Sequence, residues 1–327
     1  MPRRFLAATL LLVATSAFAK TDALSLIPTD AVSVGVVRLA QLRTSPLSSA
    51  LFEQTDKMSV DGEAKKFLRE AGLVPTKDVD LLVVSSSPRT NLGRDGKVLV
   101  AAEGRFNVDR LTAALVARGA ERIKTESGTY YVLPESQSRR SGADENGAVS
   151  FPDSSLALAG TESAVVQALQ TRAAGGSAFA SASGLGREMS RIDRNASAWA
   201  LIDVARASRI GGRSTLHNDR NPTFSAAIKN LSTVALWATD TGDALKLGAF
   251  GLASDEETLQ LMEDTLRGAL SALRLVAQEN TPEFVSVLRR FSVSRSGDAV
   301  TITGTIPAER VREYLDKQKR REMADAK

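Results

Sequence analysis

Ile27-Pro28-Thr29-Asp30-Ala31, followed by Val32 to Ala40, matches Ile192-Asp193-Arg194-Asn195-Ala196, followed by Ser197 to Ala205, at a constant offset of 165 residues. In each copy a polar turn leads into an apolar strand. Val34, Val36 and Val37 carry it in the first, and Trp199, Leu201 and Ile202 in the second.

Beyond the matched strands the two halves keep the same order of elements. Leu42, Pro46, Leu47, Leu51 and Phe52 fit one helical stripe after the first strand, and Ala64, Phe67, Leu68 and Ala71 fit a second that Gly72 closes. The second half has instead a Gly-rich polar loop, Gly211 to Pro222, and a short helix from Phe224 to Lys229. Two strands follow in both copies. Val79 to Ser86 pairs with Lys97 to Glu103 through Asp95-Gly96, and Leu231 to Thr239 pairs with Ala244 to Gly251 through Thr241-Gly242. Asn107 then caps a helix carrying Val108, Leu111, Ala114 and Leu115, closed by Gly119. Its counterpart, capped by Ser254 or Asp255, is longer and places Leu259, Met262, Leu266, Leu270, Leu273 and Val276 on one face. Finally Leu156 to Thr161 echoes Val300 to Thr305, each strand handing over to a helix, Glu162 to Leu169 and Ala308 to Leu315.

The order strand, helix, two strands, helix, strands, helix therefore occurs twice. It predicts an α+β fold of two related halves. Each is an antiparallel sheet with helices mainly on one face, a ferredoxin-like variant, and the two pack as an internal pseudo-dimer. The expected division is a signal peptide over 1–19, a first half over 20–172, a linker over 173–186 and a second half over 187–327. Ala173-Ala174-Gly175-Gly176-Ser177 opens that linker, a run of small residues with little to bury.

The leader is read from three features: Arg3-Arg4, an apolar run from Phe5 through Val13, and the ending Ala17-Phe18-Ala19. These predict cleavage before Lys20 and a periplasmic or secreted bacterial protein. An uncleaved anchor is the alternative, and the arginine pair is an ordinary basic start as readily as a twin-arginine signal. No later stretch approaches the roughly 18 apolar residues of a membrane span, so none is expected once the leader is removed. The mature part carries 40 Lys+Arg against 38 Asp+Glu, which leaves no electrostatic footprint for nucleic acid. With no cysteine in the chain, a disulfide scaffold, a thiol enzyme and a lipid anchor on an N-terminal Cys are excluded. Rings make up only 5% of residues, so the core must be aliphatic.

Catalytic signatures are missing. The single histidine, His217, excludes a metal site of the H-E-x-x-H kind, and its polar setting reads as surface loop. Neither G-x-S-x-G nor S-x-x-K occurs, the glycine spacing before Lys97 is not that of a phosphate loop, and no calcium loop is present. Carboxylates offer the remaining route to hydrolysis. Asp193 and Asp203 bracket the second-half strand, and Asp240 and Asp243 lie across a turn, where aspartate ordinarily serves as a cap. No catalytic, cofactor-binding or metal-binding residue and no cofactor is predicted. The segment Arg310 to Lys327 interleaves charges of both signs as a solvated helix does. Two long polar loops are the candidate binding elements: Glu135 to Gly147, with Arg139 and Arg140, and Gly211 to Pro222, with Arg213 and His217.

Leu26 to Ala31, Leu42 to Leu47, and Ala71-Gly72-Leu73 with Lys77-Asp78-Val79 resemble uncharacterised bacterial exported proteins. In these a P-x-D-A turn opens the mature chain and a G-L-x-P-x-x-D step precedes a hairpin. The likeness covers mainly the first half, with Asp193 standing where Pro28 would be repeated, and it implies an envelope location with no assigned activity. The expected role is a non-enzymatic binding or structural module whose partner is an envelope protein or a small ligand. The alternatives are a small-ligand carrier with an apolar pocket between sheet and helices, and a carboxylate hydrolase.

Overall fold

The computed structural model describes residues 22–45, 47–48, 62–88, 96–134, 145–193, 195–210 and 230–325. Its strands are β1 (Ser33–Val37), β2 (Val79–Pro88), β3 (Gly96–Gly104), β4 (Glu121–Thr125), β5 (Gly128–Val132), β6 (Gly147–Asp153), β7 (Leu156–Thr161), β8 (Ala198–Asp203), β9 (Thr233–Asp240), β10 (Ala244–Leu252), β11 (Ser292–Ser296) and β12 (Ala299–Pro307). The α-helices are α1 (Leu39–Thr44), α2 (Gly62–Ala71), α3 (Pro75–Asp78), α4 (Val108–Ala117), α5 (Glu162–Ala173), α6 (Phe179–Ala182), α7 (Gly184–Arg187), α8 (Val204–Ile210), α9 (Glu256–Asn280), α10 (Pro282–Leu288) and α11 (Ala308–Asp325).

All the strands join one 12-stranded sheet in the order β11-β12-β10-β9-β8-β1-β2-β3-β7-β6-β5-β4. Every pairing is antiparallel. The fold is thus α+β, as expected. β1 and β8, the strands of the matched segments, lie side by side, with Gly35 opposite Ala200. The strand order departs from a ferredoxin-like unit. There the hairpin's second strand would lie between the first two, whereas here β2 pairs directly with β1 along its whole length. The connection between them, although it contains helices, returns the chain antiparallel to its immediate neighbour.

Helices cover both faces of the sheet, not mainly one. Side chains alternate between faces along a strand. Val34, Val36, Val83, Ala101, Leu158, Leu201, Ala235 and Phe250 accordingly share one face, where Leu26, Val165, Leu169, Phe179 and Leu185 pack over them. Phe179 and Leu185 fall in the stretch expected to have little to bury. Ser183 caps α7 there by accepting from the Gly186 amide, and the whole stretch roofs the core. Among the described residues, the opposite face is covered on its flanks. On one side Val79 and Phe106 pack against Ala71 of α2 and Leu111 of α4, and on the other Leu259 and Met262 of α9 pack against Val300.

The local signals read from the sequence perform as physics requires. Gly72 ends α2 at φ +67°, and the Leu73 amide bonds back to the Leu68 carbonyl. Asn107 caps α4 by accepting from the Arg110 amide at 3.0 Å, and Asp255 caps α9 by accepting from the Thr258 amide at 2.7 Å. Gly119 and Gly242 take the positive φ their turns need. On α9, Leu259, Met262 and Leu270 are buried, but Leu273 and Val276 are 55% and 57% exposed and Ala277 is buried instead. The last turns of α9 pack against α10, where Arg274 donates to the Leu288 and Phe291 carbonyls. The outermost strands, β4 and β11, are largely exposed and carry Arg122, Lys124 and Arg295.

Candidate functional site

Between the two flanks, no helix of the described residues covers the middle of the second face. β1 and β8 have apolar residues on both faces: Val34-Gly35-Val36-Val37 in one, Ala198-Trp199-Ala200-Leu201-Ile202 in the other. A strand of that composition expects to be buried on both sides. Here one side forms the floor of a groove of about 600 Å³, within the range of roughly 300–1,000 Å³ of small-molecule sites.

Register gives the floor two rows that run across the strands. One is Leu82, Val37, Ala198, Ala238 and Leu247, each opposite the next. The other is Val84, Gly35, Ala200, Leu236, Ala249 and Ile302. Phe291 closes the β12 side, its ring lying flat where a side chain on Gly304 would stand. Trp199 and Trp237 are cross-strand partners whose rings belong to the opposite face, where Trp237 covers Gly248 and lies 6.0 Å from the Phe250 ring, tilted to it by 50°. Among the described residues, no charged or hydroxyl-bearing side chain lines the groove. Val84 and Leu236 stand 39% and 52% exposed on its floor.

Next to these rows on the same face stand Ile202 and Val234, together with polar side chains that are already engaged. On one side Ser33 and Ser86 face each other with their hydroxyls 2.6 Å apart. On the other, Asp80 pairs with Arg43 at 3.0 Å, and Asp240 accepts from the Ser48 hydroxyl and the Gly242 amide. Leu47, beside Ser48, is fully buried.

The carboxylates considered for hydrolysis all serve turns or caps. Asp193 accepts from the Asn195 amide and the Thr239 hydroxyl, and these two bonds hold its carboxyl below the usual carboxylate range. Asp203 accepts from the Arg206 amide at the start of α8. Asp243 is lowered by its bond from the Thr241 hydroxyl. Among the described residues, no group of three or more His, Asp and Glu side chains is arranged to hold a metal. Arg139, Arg140, Arg213 and His217 lie outside the described residues.

None of the groove residues was singled out by motif, since aliphatic side chains have no spacing signature of chemistry. The available signal was the apolar composition of β1 and β8 on both faces; Leu51, Phe52 and the helix read over Phe224 to Lys229 lie outside the described residues. No protein-family model matches the chain, and no curated protein is similar to it. No helix among the described residues is long and apolar enough to cross a membrane. In structure the chain is similar to TP0453, in crystal form III (TM-score 0.49, 14% identity, 90% of this chain and 97% of that one). It is also similar to crystal form IV of TP0453 (TM-score 0.48, 14% identity, 91% and 98%).

Proposed function

We propose that the protein is exported to the bacterial periplasm or beyond and there binds an uncharged, apolar small molecule in the central groove, as a carrier and not as an enzyme. The observation that carries this reading is a floor that is apolar throughout, with Leu236 and Val84 open to solvent within it. Exposed apolar surface gathered in a concavity favours a ligand that removes it from water. Against a carboxylate hydrolase stands the engagement of Asp193, Asp203 and Asp243 in local turns and caps, and of Asp240, at the groove's edge, with the Gly242 amide and the Ser48 hydroxyl. Export rests on the leader, Arg3-Arg4 through Ala19.

The test is binding of a neutral solvatochromic dye such as Nile red to the mature protein. Binding is expected, and Leu236→Asp is expected to weaken it at least about tenfold by placing a charge on the floor. A dye that does not bind, or binds the variant equally well, overturns the reading. Mass spectrometry of the periplasmic fraction is expected to find a chain beginning at Lys20, and an intact leader on cytosolic protein would contradict export.

We also propose that the two halves descend from one duplicated unit. The offset of 165 residues between the matched segments, which is also the separation of the facing pair Gly35 and Ala200, supports it. So do the orders β1-β2-β3-β7 and β8-β9-β10-β12 running outward from that pair. A crystal structure in which these strand sets superpose no better than unrelated meanders would end it.

A further inference from the structure

The core face of the sheet changes character in its last row. Leu201, Ala235 and Phe250 stand opposite one another on β8, β9 and β10 and are buried in the aliphatic core. Side chains return to the same face at every second residue, so the next row on these strands is Asp203, Thr233 and Leu252. A carboxylate and a hydroxyl thus stand where the core ends. They line a cavity of about 560 Å³, within the range of small-molecule sites. Leu185 of α7 and Glu188 line it from the roof, and Asp298, in the turn between β11 and β12, lines it too.

The three carboxylates on this cavity are not equivalent. Arg191 bridges two of them: its Nε lies 2.6 Å from Glu188, and its Nη1 and Nη2 reach the two oxygens of Asp298 at 2.9 and 3.0 Å. Asp203 has no such partner among the described residues. Its Oδ1 accepts from the Arg206 amide at 2.9 Å, but its Oδ2 lies 3.8 Å from the Arg206 guanidinium, beyond hydrogen-bond length. That guanidinium donates instead to the Asp30 carbonyl. Directly across from Asp203, the Thr233 side chain is only 9% exposed, and among the described residues its hydroxyl has no hydrogen-bond partner. A buried hydroxyl left unpaired is unfavourable, so a group that reaches it is favoured.

The two unmet atoms want the same partner. A carboxylate oxygen only accepts, and a threonine hydroxyl can accept as well, so both are satisfied by a donor, and the carboxylate by a donor that carries positive charge. Leu185, Leu252 and Ala253 line the cavity beside them, which favours a donor attached to hydrocarbon. A divalent metal ion takes six or so oxygen ligands, and no group of three or more carboxylates among the described residues is arranged to hold one.

We propose that this cavity binds a small primary alkylammonium, its nitrogen between Asp203 Oδ2 and Thr233 Oγ1 and its stem against Leu185 and Leu252. The site lies on the roofed face of the sheet, opposite the central groove, and is independent of the carrier reading.

The test is calorimetric titration of the mature protein with n-butylamine, which is protonated near neutral pH. Saturable binding is expected. Asp203→Asn keeps an acceptor for the Arg206 amide but removes the charge, and should weaken binding at least about tenfold. Thr233→Val keeps the shape without the hydroxyl and should weaken it at least about threefold. Butyltrimethylammonium, with the same charge and stem but no N–H, should bind the wild type at least about tenfold more weakly than butylamine does. Circular dichroism establishes that each variant is folded, and the comparison of the two cations on the wild type carries the test if neither is. No binding of butylamine, equal binding by the folded variants, or equal binding of the trimethylated cation overturns the proposal. So does binding of magnesium or calcium in place of the amine.

Discussion

A methyl group added at Gly35 has room, and one added at Gly160 does not, because the Val98 carbonyl occupies that place and φ is +148°. Gly35→Ala is therefore expected to raise stability by about 0.5–1 kcal/mol, since it narrows the unfolded ensemble without native strain. Gly160→Ala is expected to lower stability by more than that, and urea denaturation of both variants checks the pair. At this scale much was legible in the sequence. Asn107, Asp255, Gly72 and Gly119 act through short-range geometry that a string of residues displays. Asp193, Asp203 and Asp243 serve turns and caps through the same short-range geometry. The place of Gly35 was not legible, because the residue it faces, Ala200, is 165 residues away.

Elements show where a pattern is only half the information. The stripe on α9 reads as continuous from Leu259 to Val276, yet burial follows it only as far as the sheet extends. Leu270 is 7% exposed and Leu273 55%. Leu270→Ala is expected to cost about 2–3 kcal/mol, as a buried truncation does. Leu273→Ala should stay within about 0.5 kcal/mol, and thermal melts of the two variants separate the cases. Hairpins were readable from Thr241-Gly242 and from the alternation on either side of it. The direct pairing of β1 with β2 was not, since the residues between them announce helices without saying on which side the chain returns. The stretch after Ala173 misled through its composition. Its small residues are followed by Phe179 and Leu185, which dock on the sheet, and the Ser177 hydroxyl donates to the Ile27 carbonyl at 2.5 Å.

For the molecule as a whole, the main core runs without a break from Leu26 through Leu158 and Leu201 to Ala299, so the two halves are expected to melt in one transition. Carboxylates placed across the fold make that transition depend on acidity. Asp193 is held low by the Asn195 amide and the Thr239 hydroxyl, and Asp298 by Arg191, whose two terminal nitrogens reach its two oxygens at 2.9 and 3.0 Å. A carboxyl lowered in the folded state stabilises it fully above the ordinary value of about 4 and loses that contribution as the pH falls through the lowered value. The melting temperature is therefore expected to hold steady from neutral pH down to about 5 and to fall below about 4, with a shallower fall in Asp193→Asn and Asp298→Asn. Calorimetry across that interval decides it.

The charged, short outermost strands have a meaning for the protein's life at high concentration. A ribbon this wide would template its own growth if either margin offered bare amides flanked by valines. Glu121, Arg122 and Lys124 at one margin and Arg295 among serines at the other make docking of another chain there cost buried charge. Margins so charged keep a sheet of twelve strands from growing by strand addition and so resist fibre formation.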